Sequence, residues 1–215
     1  MPAPGPRNAP PLRSARPCEG CSPPVHCWPH ALALAALLLV LQSANVGIHD
    51  VLRFTRRGLE HGEWWRLLTA HFVHLGWAHA ALDALGVVLC CALAPHLFNA
   101  HIWLKTAGLA FGIGTLLWCC SPEVPNYVGL SGVLYGLFVL GLLPPAWRGD
   151  GIAAGALAVS AGWMIWQWAA GPSALEEGLI GGRVIAIAHV YGFGLGVAGV
   201  ALTWRLQPLK HLDKT

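Results

Sequence analysis

An all-α integral membrane protein, built as a bundle of six transmembrane helices, is the fold class this sequence predicts, and three observations carry the prediction. Of the 215 residues, 55% are hydrophobic and only 11% are charged, whereas soluble domains carry roughly a quarter charged residues. The apolar residues gather into stretches near the ~20 residues that a bilayer demands of a helix, and the mean hydropathy of the whole chain is +0.55. Between the stretches stand prolines and glycines, which interrupt helices, and nearly all the acidic residues fall in loops or tails. A soluble α/β domain would need a polar surface that this composition does not supply. The formal net charge of +3 is scattered. No basic stripe of the kind that tracks phosphates is present, so nucleic acid is not an expected partner.

In chain order, residues 1–29 are rich in Pro, Gly, Ser and Arg and poor in aliphatic side chains. Such a composition does not offset the entropy of ordering and predicts a flexible tail. Cys18, Cys21 and Cys27, with His26 and His30 nearby, read as part of that tail, because a closed zinc site shows a second, well-spaced ligand pair. No metal site is expected there. The apolar run that follows reads as a retained first helix rather than a signal peptide, since no small-residue cleavage site and soluble domain follow it. Spans are expected at about 30–48, 72–94, 101–120, 128–146, 151–170 and 184–205, within a membrane domain of residues 30–206 and ahead of a short tail, 207–215. Their boundaries are set by Pro95, Ser121-Pro122 and Pro125, Pro144-Pro145 and Gly149, Gly171-Pro172, and Gly181-Gly182. The fourth span is short and is expected to be enclosed by the others. A polar connection, 49–70, joins the first two and contains Arg53, Arg56, Arg57, Glu60, Glu63 and Arg66; its Trp64 and Trp65 read as interfacial anchors. Cys90–Cys91 and Cys119–Cys120 lie in or beside apolar segments and read as small hydrophobes rather than a disulfide framework.

Six spans place both termini on one side. Arg7, Arg13, Arg16, Lys105, Arg148, Arg205, Lys210 and Lys214 then share that side, against Arg53, Arg56, Arg57, Arg66 and Arg183 on the other. The excess favours cytoplasmic termini, and a bacterial inner membrane is the expected location.

Ionisable groups inside a span are costly and usually face the bundle interior. Asp83 stands in the middle of the second span, one turn after His79, so the two share a face. His71 and His74 fall at the start of that span, and His189 sits in the sixth among apolar residues and glycines. Each has a bland reading: His79–Asp83 as a self-satisfied pair, His189 as helix glue. A metal site from His71, His74, His79 and Asp83 lacks an HExxH-like ligand pattern and is not expected. The fourth span opens Gly129-Leu130-Ser131-Gly132-Val133-Leu134-Tyr135-Gly136. Gly132 and Gly136 form a small-xxx-small face, as do Gly192 and Gly196 on the sixth span, and such faces let two backbones approach closely. Ser131 and His189 stand beside these seams, which makes a hydrogen bond between them geometrically reasonable. A serine becomes a nucleophile when a positioned histidine takes its proton, and a helix N-terminus offers free N–H groups to an oxyanion.

WRLLTAHFVHLGWAHAALD at 65–83, GLSGVLY at 129–135 and AHVYGFGLG at 188–196 resemble, in the same order, the three signature regions of the rhomboid intramembrane serine proteases. The resemblance covers nearly everything from residue 30 onward. It implies a six-helix bundle with a water-filled cavity, Ser131 as nucleophile and His189 as general base, with no third carboxylate. It also implies that Tyr135 packs against the catalytic imidazole, that His79 and the Ser131 N–H bind the oxyanion, and that Gly129 and Asp83 support the site. Trp65-Arg66 matches a structural motif of the first loop. Many rhomboids carry asparagine where this chain has Asp83, so Asp83 is expected either as a neutral acid or as a group that turns away to orient His79. The pattern on the second span also resembles the rhombosortase branch, which processes C-terminal glycine-rich sorting helices. The implied partners are a transmembrane segment of a substrate protein and the lipid bilayer, with no cofactor. The competing class is an inactive rhomboid-like protein that binds or escorts membrane clients, against which the intact Ser131 and His189 weigh. No internal repeat supports a small transporter.

Overall fold

The computed structural model describes residues 27–206; the tail with Cys18 and Cys21, and residues 207–215, lie outside the described residues. The long helices follow the apolar stretches and short ones form between them: α1 (Trp28–Gln42), α2 (Val46–Leu52), α3 (Arg56–Glu60), α4 (Arg66–Thr69), α5 (Trp77–Leu93), α6 (Ile102–Cys120), α7 (Ser131–Trp147), α8 (Gly151–Ala170), α9 (Ala174–Ile180) and α10 (Ala186–Leu206). The chain is thus an all-α, multi-pass membrane protein. Among the described residues α6, α8 and α10 are each long and apolar enough to cross a bilayer. Two bent pairs pass the same test, α1 with α2 at 118° and residues 66–72 with α5 at 92°, and α7 is a shorter apolar helix. What the sequence suggests as six similar spans is therefore three straight helices, two bent pairs and one short helix.

Outward-facing apolar side chains explain why lipid is the solvent. On α8, Val159, Trp163, Ile165 and Trp166 are exposed, a patch that would be a liability in water and costs nothing in hydrocarbon. By contrast α7 buries Gly132, Val133, Leu134, Gly136, Leu137, Val139, Gly141 and Leu142, and packs against α5, α6, α8 and α10. Pro144 and Pro145 do not end it, as the punctuation suggested, but lie inside its last turns. Neighbouring helices in a membrane bundle offset the backbone bonds that such prolines remove.

The second span starts later than its hydropathy suggests. Residues 70–72 form a 3-10 turn, Val73 is extended, and α5 begins only at Trp77 after extended Gly76. His71 and His74 consequently precede the helix, and both are turned inward and buried. The first loop is more ordered than a plain polar connection. Asn45 and Thr55 cap α2 and α3 by accepting from Ile48 N and Gly58 N. The buried Arg66 guanidinium donates to the Asp50 and Arg53 carbonyls, each at 2.6 Å, and to Glu63 Oε2 at 2.5 Å. Arg56 donates to the Leu117, Trp118, Ser121 and Val124 carbonyls at the end of α6, where a cation suits the helix dipole. A two-stranded antiparallel pairing, β1 (Phe54–Thr55) with β2 (Asn126–Tyr127), sets Phe54 opposite Tyr127 and Thr55 opposite Asn126. It ties the first loop to the segment leading into α7. Cys27, read from sequence as tail, is buried against the start of the bundle.

Candidate active site

Ser131 is the first residue of α7, so its N–H has no intrahelical acceptor. The chain reaches it through Gly129, whose φ of +115° suits glycine alone, and a Cβ there would lie 2.7 Å from His79 Nε2. That turn is pinned from three sides. Gly129 N donates to the Ala70 carbonyl at 3.1 Å, Tyr127 Oη donates to the Gly129 carbonyl at 2.7 Å, and Leu130 N donates to Asp83 Oδ2 at 2.7 Å. Tyr127 is buried at the edge of the site, and burial raises its pKa above the ordinary phenol range, so its hydroxyl remains a donor.

The seam between α7 and α10 sets the distance across the site. A Cβ on Gly192 would run into the Gly132 carbonyl, and one on Gly136 would lie 2.9 Å from the Gly192 carbonyl oxygen. At that separation His189, one turn before Gly192, meets Ser131: Oγ and Nε2 are 2.8 Å apart. The Tyr135 ring lies over the imidazole, with centroids 4.8 Å apart and planes inclined by 34°. His79, Asp83, Tyr127, Ser131, Glu176 and His189 all line one cavity of about 130 Å³, with Ile180 of α9 and Arg183 at its wall. The structure therefore brings Ser131, His189, Tyr135, Gly129, His79 and Asp83 to one place, and leaves His71 outside the cavity.

Asp83 has nearer partners than His79. Its Oδ2 accepts from Leu130 N and lies 3.0 Å from His74 Nε2, whereas His79 Nε2 is 3.7 Å away, beyond hydrogen-bond reach. The reason is the bend before α5, which swings His74 back over the helix and places it closer to Asp83 than His79 is. Asp83 thus holds the Ser131 turn through Leu130. Asp83→Leu leaves Leu130 N–H and His74 Nε2 buried without their acceptor, at about 1–3 kcal/mol for each orphaned group. Asp83→Asn keeps an oxygen acceptor and is expected to retain most stability and activity. Thermal unfolding and cleavage assays of both variants check this; equal loss in the two would mean that the charge, not the acceptor, is required.

Three members of the site went unread in the sequence. Tyr127 gave no signal beyond its nearness to Ser131. Gln167, buried on α8 at 2% exposure, meets His189 Nδ1 through Oε1 at 3.1 Å, and its Nε2 donates to Glu176 Oε1 of α9 at 2.6 Å. Gln167 was findable as a polar side chain within the apolar fifth span; Glu176 was not, since an acidic residue in a loop is unremarked. Among the described residues no cluster of His, Cys, Asp and Glu is arranged to hold a metal ion.

Comparison with known proteins gives the following similarities. The family model described as Rhomboid domain matches residues 61–206. Over 96 residues the chain is 33% identical to the Bacillus subtilis protein named "Putative rhomboid protease YdcA", covering 43% of this chain and 47% of that one. Over 163 residues it is 25% identical to "Rhomboid-like protein 11, chloroplastic" of Arabidopsis thaliana, covering 70% and 56%. The chain spans about half the length of these relatives.

Proposed function

Since the chain belongs to the rhomboid family, we propose that it is an intramembrane serine endopeptidase in which Ser131 is the nucleophile and His189 the general base. The observation that carries this reading is the 2.8 Å contact between Ser131 Oγ and His189 Nε2. It lies at a cavity that gathers His79, Asp83, Glu176 and Arg183 inside an otherwise apolar bundle. In the first step Oγ bonds to the scissile carbonyl carbon as its proton passes to His189 Nε2. The negative charge that forms on the carbonyl oxygen is met by the Ser131 N–H at the start of α7 and by His79, whose Nε2 faces the Gly129 turn. His79 Nδ1 accepts a long bond of 3.5 Å from Leu75 N, which leaves the proton on Nε2 and makes that nitrogen a donor. Collapse of the tetrahedral species breaks the C–N bond, and His189 returns its proton to the leaving amine. Water, deprotonated by the same imidazole, then releases the acyl group from Ser131.

The substrate proposed is a transmembrane segment of another protein, delivered through the bilayer to the cavity. A C-terminal sorting helix of rhombosortase type is the narrower form of this substrate, suggested by the aspartate at position 83. A serine-directed fluorophosphonate tests the reading in detergent-solubilised protein. Wild type is expected to be labelled and Ser131→Ala to be unlabelled, with His189→Ala labelled at a small fraction of the wild-type rate. Labelling that persists in Ser131→Ala would remove Ser131 as the nucleophile.

A further inference from the structure

Building on the Ser131–His189 reading, we infer that Gln167 and Glu176 are positioning residues, forming a relay Glu176–Gln167–His189–Ser131 that decides which imidazole nitrogen carries the proton. A glutamate carboxylate only accepts hydrogen bonds, and the amide of glutamine has one accepting end and one donating end. Glu176 Oε1 lies 2.6 Å from Gln167 Nε2, so the carboxylate holds the donating end toward itself. The accepting end, Oε1, is thereby aimed at His189 Nδ1, 3.1 Å away. An imidazole nitrogen facing a carbonyl oxygen must bear hydrogen, so Nδ1 is protonated and Nε2 is bare. The bare Nε2 is the one that faces Ser131 Oγ at 2.8 Å. Without Glu176 the amide is free to turn over and donate to Nδ1, which moves the imidazole proton to Nε2 and removes the base from the serine.

Location supports a built arrangement rather than a chance polar contact. Gln167 is 2% exposed and sits in the last turn of α8, where an unpaired amide would be costly. Glu176 belongs to α9, whose start is fixed by Ser173 accepting from Glu176 N. Because α9 also contributes Ile180 and Glu176 to the cavity wall, the base is set correctly only while α9 is seated. The dyad thereby depends on two helices that carry neither of its members.

The experiment uses purified full-length protein in detergent with a model transmembrane substrate. Gln167→Leu is expected to lower kcat by about 10- to 100-fold with little change in KM, the scale of loss when a reacting group is slightly misplaced. Nitrogen-15 resonances of His189 read the tautomer directly: the wild type shows hydrogen on Nδ1, and Gln167→Leu shows a mixture. A swapped pair, Gln167→Glu with Glu176→Gln, rebuilds the relay with the carboxylate accepting from Nδ1–H, and restores kcat to within about 3-fold of wild type. A structural role in holding α8 against α10 would instead lower the unfolding temperature and leave the tautomer alone. Should Gln167→Leu fail to fold, Glu176→Leu carries the test, because it retains the amide and only frees it to turn. Wild-type kcat with an unchanged tautomer in either variant overturns the relay, as does a swapped pair no better than Gln167→Leu. Cleavage that survives in Ser131→Ala overturns the Ser131–His189 reading itself, a separate result.

Discussion

Ser131→Ala and His189→Ala are each expected to bring cleavage of a model transmembrane substrate down to background, with the double variant no slower than either single one. The expectation follows from the shared 2.8 Å contact. Without the imidazole the hydroxyl keeps its proton and attacks poorly; without the hydroxyl the imidazole has nothing to activate. Either loss removes the same step, so the effects do not multiply, and each is expected to cost about 10⁴-fold or more. What remains in each variant is the proposed oxyanion site, His79 and the start of α7, which Ala leaves in place. Folding is followed separately by thermal unfolding, since the His189 ring is buried beneath Tyr135. The expected result is a large kinetic loss with a small change in unfolding temperature. Multiplicative losses would mean that the two residues act in different steps, and residual cleavage in Ser131→Ala would mean a different nucleophile.

The helices were readable because bilayer burial writes itself into composition over stretches of about 20 residues, and each stretch gave a helix near its expected place. The bends were not readable. The turn after Gln42 and the one before Trp77 fall inside stretches whose overall hydropathy reads as one span; Ser43, Asn45 and Gly76 mark where the chain breaks, but hydropathy carries no signal of the direction it then takes. The β1–β2 pairing escaped for a related reason: two residues per strand are too few to show alternation, and the pairing joins segments some 70 residues apart in the chain.

Within the site, legibility tracked how unusual a residue is in its local setting. A histidine among glycines in a span stands out, as does a serine between Gly129-Leu130 and Gly132, and the two seams of small residues hinted at where they meet. Asp83 stood out equally, but its partner did not. His79, four residues earlier on the same helix, was the natural guess, whereas His74 reaches Asp83 only through a bend invisible in the sequence. Gln167 shows a different limit. Attention to ionisable groups passes over an uncharged amide, although a buried amide needs partners nearly as much as a charge does.

Gly192→Val is expected to abolish activity by at least about 100-fold while costing about 1–3 kcal/mol of stability, the range for overfilling a packed core. A Cβ on Gly192 runs into the Gly132 carbonyl, one residue from Ser131, and this contact is backbone against backbone. No rotamer change relieves it, so α10 must move away from α7. His189 lies on α10 one turn before Gly192, and it travels with the helix. A shift of about an ångström takes the Ser131–His189 contact beyond hydrogen-bond range, since such bonds weaken steeply past roughly 3.2 Å. Gly136→Val acts on the same seam from the other helix, where a Cβ would also press on Leu109 at 2.7 Å. Some of that strain is absorbed by the Leu109 side chain, so the loss should be smaller than for Gly192→Val. Gly162→Val on α8 is the control: a Cβ there meets nothing within 4 Å, and the variant should keep near wild-type activity. Cleavage rate, set against unfolding temperature for all three, separates catalytic misplacement from general destabilisation. If Gly192→Val lost activity only in proportion to its stability, or matched Gly162→Val, close approach of α7 and α10 would not be what sets the dyad.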